Sequence, residues 1–146
     1  MVSFKYICIG ELRDYYAKLQ SLDSLDEEVR ECAERMDGIR SATSDATPVK
    51  GGSSGRLEHL INSIANKEVY EDNLEIARRQ VRRVEKGLSG LNAKQRRILD
   101  LFYMRREYGY IQRLCREFNE SEREVYRDKD DALMRYTLCR YGVTEL

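Results

Sequence analysis

Three helical periodicities follow one another in residues 91–141 with almost no chain between them, and this crowding constrains the fold more than any other feature. Ile98, Leu101 and Phe102 share a face of the first segment, and Ile111, Leu114, Cys115 and Phe118 a face of the second. Val125, Ala132 and Leu133, with Tyr136 beside them, mark the third. Spacings of three, four and seven are those of amphipathic helices. Only Tyr108-Gly109 separates the first two, and only Asn119-Glu120 the last two. Asn92 stands where the first helix needs an N-cap. Ser121 does the same for the third, and Glu124, three residues on, completes a capping box. A short helix, a tight turn and a longer capped helix predict a helix-turn-helix, whose second member lies in a DNA major groove.

The upstream chain is also helical in pattern. Within an N-terminal helix at 1–40, Leu12, Tyr15, Leu19, Leu22, Val29, Ala33 and Met36 alternate by three and four, with Leu25 filling a gap. Residues 3–9 are β-branched and aromatic enough to suit a short strand, and Gly10 is a candidate helix breaker. Residues 41–55, SATSDATPVKGGSSG, hold the only Pro and no periodicity, as expected of a flexible linker. A second long helix is expected at 56–90. Leu57, Leu60, Ile61 and Ile64 form a first apolar patch, and Tyr70, Leu74, Ala77, Val81 and Val84 a seam. Gly87 and Gly90 flank an expected break at Leu88-Ser89. The two seams close on each other as a hairpin or on a second copy of the chain; the pattern fits both. The expected fold is all-α: a long N-terminal helical hairpin or coiled coil, then a C-terminal helix-turn-helix at 91–146.

Charge totals balance at 26 basic and 26 acidic residues, but the distribution is uneven. Residues 11–45 carry ten acidic against five basic groups, a net of about −5. Residues 76–106 carry ten basic against two acidic, about +8. A polyanion meets the local field, not the sum. No stretch approaches the ~20 apolar residues that span a bilayer. Four cysteines without short pair spacing give neither a metal motif nor a disulfide framework, which suits a reducing cytoplasm. No Ser-His-Asp set, nucleotide motif or second ligand for His59, the lone histidine, is present, so an enzyme or a cofactor is not expected.

The run Lys94-Gln95-Arg96-Arg97-Ile98-Leu99-Asp100-Leu101-Phe102-Tyr103 after Leu91, the pair Leu114-Cys115, the turn Phe118-Asn119, the cap Ser121, then Val125-Tyr126-Arg127 and Ala132-Leu133, resemble the fourth region of bacterial sigma factors. More closely, they resemble its form in phage transcriptional regulators of the ArpU and RinA type. Cys115 replaces an Ala and Asn119 a Gly of that pattern; both are mild changes, since Asn tolerates the left-handed conformation a turn Gly takes. The resemblance covers the last third of the chain well and the upstream order of segments only in outline. It implies control of phage or prophage genes in a bacterial host, with double-stranded DNA and RNA polymerase as partners. A small-terminase-like DNA recognition subunit, and a helical interaction module without DNA binding, are the alternatives.

If Ser121 is the cap, Val125 faces inward, and Glu122, Arg123, Tyr126 and Arg127 face outward as base-reading candidates. Arg123 and Arg127 lie one turn apart, each suited to a bidentate guanine contact, and Glu122 to a cytosine amino group. Arg78, Arg79, Arg82 and Arg83 on the second long helix, with Lys94, Arg96 and Arg97, are phosphate candidates. Asp128, Asp130 and Asp131 oppose deep insertion of the third helix. Tyr103, Tyr108 and Tyr110 are expected to pack around the first turn.

Overall fold

The computed structural model describes residues 1–44 and 53–146. Five α-helices account for most of them: α1 (Phe4–Ser44), α2 (Ser53–Ser89), α3 (Ala93–Leu99), α4 (Tyr110–Phe118) and α5 (Glu122–Tyr141), with a π-helical turn at Asp100–Met104 after α3. The all-α expectation holds. Among the described residues no helix is long and apolar enough to cross a membrane. Both long helices run further than their periodicity indicated. The margins of the linker expected at 41–55 are helical, and its residues 45–52 lie outside those described. The strand considered for 3–9 reduces to one antiparallel bridge between Ser3 and Glu145, after which Phe4 begins α1. Gly10 does not break the helix. A mid-helix Gly costs about 1 kcal/mol, and burial of Cys8 and Leu12 on either side outweighs it.

The chain divides into two compact units. The first joins Met1–Lys18 to Gln80–Leu146, so the C-terminal helices share their core with the start of α1. One buried cluster contains Cys8 and Leu12 of α1, Val84 of α2, Leu91, Leu99 of α3, and Ala132, Leu133 and Tyr136 of α5. A second contains Ile98, Leu101, Phe102, Leu114 and Val125. The π turn explains how adjacent residues serve both. Winding one extra residue into the turn, closed by the Arg105 N–H to the Asp100 carbonyl at 2.7 Å, lets Leu99 enter the first cluster while Ile98, Leu101 and Phe102 enter the second.

The break expected at Leu88-Ser89 coincides with the end of α2 at Ser89, and the flanking glycines also make room for α5. A Cβ on Gly87 would lie 2.7 Å from the Tyr136 ring and 2.8 Å from the Arg140 stem, and one on Gly90 would lie 2.6 Å from the Cys139 sulfur. Behind Gly87 sits a polar cluster: the Arg140 guanidinium donates to Glu11 at 2.7 and 3.0 Å, and the Tyr136 and Tyr141 hydroxyls donate to the same carboxylate. Burial, then the Glu11 charge, pushes the Tyr136 hydroxyl far above its ordinary pKa. Both phenols therefore stay protonated donors.

The second unit is Leu19–Arg79, two helical segments running antiparallel: Asp26 meets Arg78 at 4.0 Å, while Arg35 and Ile39 line a groove with Arg56, His59, Asn62, Ser63 and Asn66. Its buried side chains are few among the described residues, namely Cys32, Ser63, Leu74 and Ala77. The patch expected at Leu57, Leu60, Ile61 and Ile64 divides. Leu60 and Ile64 are half-buried, and Leu57 and Ile61 face solvent. With a single partner helix, α2 covers only one of two apolar faces.

Candidate nucleic-acid interface

The site is built outward from two left-handed residues and two caps. Gly109 (φ 73°) opens α4 and Asn119 (φ 53°) closes it, so α4 is held between sharp turns. Asn119 occupies the conformation anticipated for a glycine. The Ser121 hydroxyl accepts from the Glu124 N–H at 3.3 Å, and the Glu124 carboxylate accepts from the Ser121 N–H at 2.8 Å. That Ser121 N–H, and then the Ser121 hydroxyl donating to the same carboxylate oxygen at 2.9 Å, hold the Glu124 carboxyl below its usual range. An equivalent box, Asn92 with Gln95, starts α3.

With the start of α5 fixed and Val125 fully buried, Glu122, Arg123, Tyr126 and Arg127 all face solvent. Arg123 has no ion-pair partner among the described residues. Arg127 has only a 3.9 Å approach to its neighbour Asp128 and leaves 69% of its side chain exposed. Tyr126 sits edge-on to Phe102 at 5.7 Å, which fixes its ring while its outer edge stays open.

The phosphate candidates separate. Lys94 is not free: it bridges Glu120 in the α4–α5 turn and Asp128 of α5, the latter at 2.9 Å, with Phe118 beneath it. Arg97 is held by Glu117 at 3.0 Å and Asp100 at 3.8 Å. Both are engaged for one reason: short helices packed at close quarters bring carboxylates of α4, α5 and the turn between them onto α3, which linear spacing does not reveal. Arg96 is exposed with no ion-pair partner among the described residues, as is Arg83. Arg82 is exposed. Arg78 and Arg79 belong to the second unit and pair with Asp26 and Glu75 at 4.0 and 3.9 Å.

The acidic residues of α5 also read differently. Asp128 faces Lys94, and Asp130 meets Lys129 at 2.6 Å, while the exposed Asp131, like Glu122, has no ion-pair partner among the described residues. Lys94, then burial and Glu120, set the Asp128 carboxyl, with a net displacement below the usual range. A carboxyl lowered on folding adds stability above its unfolded value near ~4 and loses it as pH falls through the folded value. Asp128→Asn is therefore expected to flatten the acid limb of the stability curve below about pH 4. Urea midpoints recorded from pH 6 to pH 2 check this. Equal acid sensitivity in the two proteins contradicts it.

Sequence spacing missed the outer face of α4. Gln112, Arg113 and Arg116 are exposed there; Tyr108 joins them as a fully exposed ring rather than a packed one. Tyr110, by contrast, packs edge-on to Phe102 at 5.0 Å, and Tyr103 is half-buried. An open groove lined by Gln112, Arg116, Ser121 and Glu122 joins the α4 face to the start of α5. The signal was present: with Ile111, Leu114, Cys115 and Phe118 inward, positions 112, 113 and 116 must point away.

No protein-family model, curated protein or solved structure matches the chain. Charge follows the structural division. The unit carrying α3–α5 holds eighteen basic and thirteen acidic residues, about +5 net, and Leu19–Arg79 holds eight against thirteen, about −5.

Proposed function

We propose that the chain is a sequence-specific DNA-binding transcriptional regulator, with α4 and α5 as its helix-turn-helix. Control of phage or prophage genes is the setting that the resemblance of residues 91–141 implies. One observation carries the proposal: Arg123, without an ion-pair partner among the described residues, and Arg127, with only a 3.9 Å approach to Asp128, stand outward on the first turns of a capped helix whose inner residue, Val125, is fully buried. A guanidinium presented there is a bidentate donor to guanine N7 and O6. Arg116 on α4, exposed and with no ion-pair partner among the described residues, supplies the sequence-independent part in a unit of net positive charge, while its neighbour Arg113 is held by Glu107 at 2.9 Å. Only the opening turns of α5 carry base contacts, since Asp130 and Asp131 follow on its exposed side.

Fluorescence anisotropy on labelled duplexes across a salt series tests this. Log affinity falls with log salt by about 0.9 for each phosphate neutralised. Arg116→Ala is expected to weaken all duplexes alike and reduce the slope by about 1. Lys94→Ala is expected to leave the slope unchanged, because Lys94 is spent inside the protein. Failure to bind any duplex at low salt refutes the proposal.

A further inference from the structure

The second unit carries a feature that DNA binding does not use. Leu57, Ile61, Val69 and Ile76 of α2 are 58, 55, 54 and 51% exposed. With the exposed Ala65 between them, positions 57, 61, 65 and 69 step by four; exposed Asn73 takes the next step, and Ile76, seven residues beyond Val69, ends a row about 28 Å long. It lies opposite Ser63, Leu74 and Ala77, which are buried within the unit. A row of i+4 steps is the ridge that packs into the groove of a crossing helix, and the small Ala65 near its middle permits close approach. Glu58, Glu68 and Asp72 stand on the same side, all exposed, with no ion-pair partner among the described residues.

We propose that this ridge is the docking surface for a basic amphipathic helix of a partner protein, one with an apolar stripe flanked by Lys and Arg. Charge selects that occupant. An isologous pairing of two copies of this ridge, crossed at Ala65, sets Glu58 of one against Asp72 of the other and brings together two units of about −5 each. A cationic helix meets the same carboxylates with opposite sign while covering the apolar row. The proposal is independent of the DNA reading.

The test uses the full chain and two synthetic helical peptides with the same leucine stripe, one flanked by Lys and Arg and the other by Glu. The basic peptide is expected to bind. Ile61→Ser with Val69→Ser is expected to weaken it by about tenfold or more, as is Glu68→Lys with Asp72→Lys. Because all four positions are exposed, circular dichroism is expected to stay unchanged. The proposal is overturned if the basic peptide fails to bind, if the acidic peptide binds as well, or if the variants bind like the parent. It is equally overturned if sedimentation shows a dimer that Ile61→Ser with Val69→Ser dissociates, since a second copy is then the occupant. DNA affinity, measured in parallel, should be the same for Ile61→Ser with Val69→Ser and the parent, since that pair leaves the charge unchanged.

Discussion

Leu12→Ala is expected to lower the stability of the unit containing α3, α4 and α5 by about 2–5 kcal/mol, although Leu12 precedes α3 by eighty residues. Its side chain is fully buried in one cluster with Leu99 of α3 and with Ala132, Leu133 and Tyr136 of α5. Truncation removes the transfer free energy of the lost methyl groups and leaves a cavity, since Tyr136 cannot collapse into it while its hydroxyl is tied to Glu11. Urea unfolding followed by tyrosine near-ultraviolet dichroism measures the effect. Leu19→Ala, at a position 37% exposed, is the control with little change expected. By the same argument residues 91–146 expressed alone should unfold without a cooperative transition, because Cys8, Leu12 and Val84 are missing from their core. A fragment that folds as sharply as the whole chain contradicts this account of the core.

The second large effect concerns recognition. Arg123→Ala is expected to cost about 1–3 kcal/mol on the preferred duplex and much less on random DNA, relaxing preference at one base pair. Arg127→Ala is expected to do the same at a neighbouring base pair. Neither change should alter stability much, because both side chains are exposed and the one ion pair involved, Arg127 with Asp128 at 3.9 Å, is long and open to solvent. Competition binding between preferred and scrambled duplexes separates this from general weakening. If both variants lose affinity equally for every duplex, the two arginines act on phosphate and sequence is read elsewhere.

The local features of this architecture were legible in the chain because local rules govern them. Ser121 with Glu124, Asn119 in the left-handed turn and Val125 inward each depend on residues within one turn. The candidate base-reading face followed from those same positions. What stayed hidden depends on contacts between segments distant in sequence. Lys94 looked like a free cation until Glu120 and Asp128 were brought beside it. Gly87 and Gly90 looked like breakers until Tyr136, Arg140 and Cys139 were found against them. The π turn is invisible to a 3.6-residue period because it winds one extra residue into the chain after Leu99. Arg113 and Arg116 are a different matter: the α4 periodicity already placed them outward, and only attention to the apolar side passed them over.

The most direct test is selection of full-length protein against a random-sequence duplex pool at moderate salt, run in parallel with Arg123→Ala. A short enriched motif containing guanine, with that guanine losing its enrichment in the variant while the rest of the motif persists, is the predicted result. Retention of DNA without any enriched motif, or a motif identical in both proteins, contradicts the claim that the opening turn of α5 reads sequence.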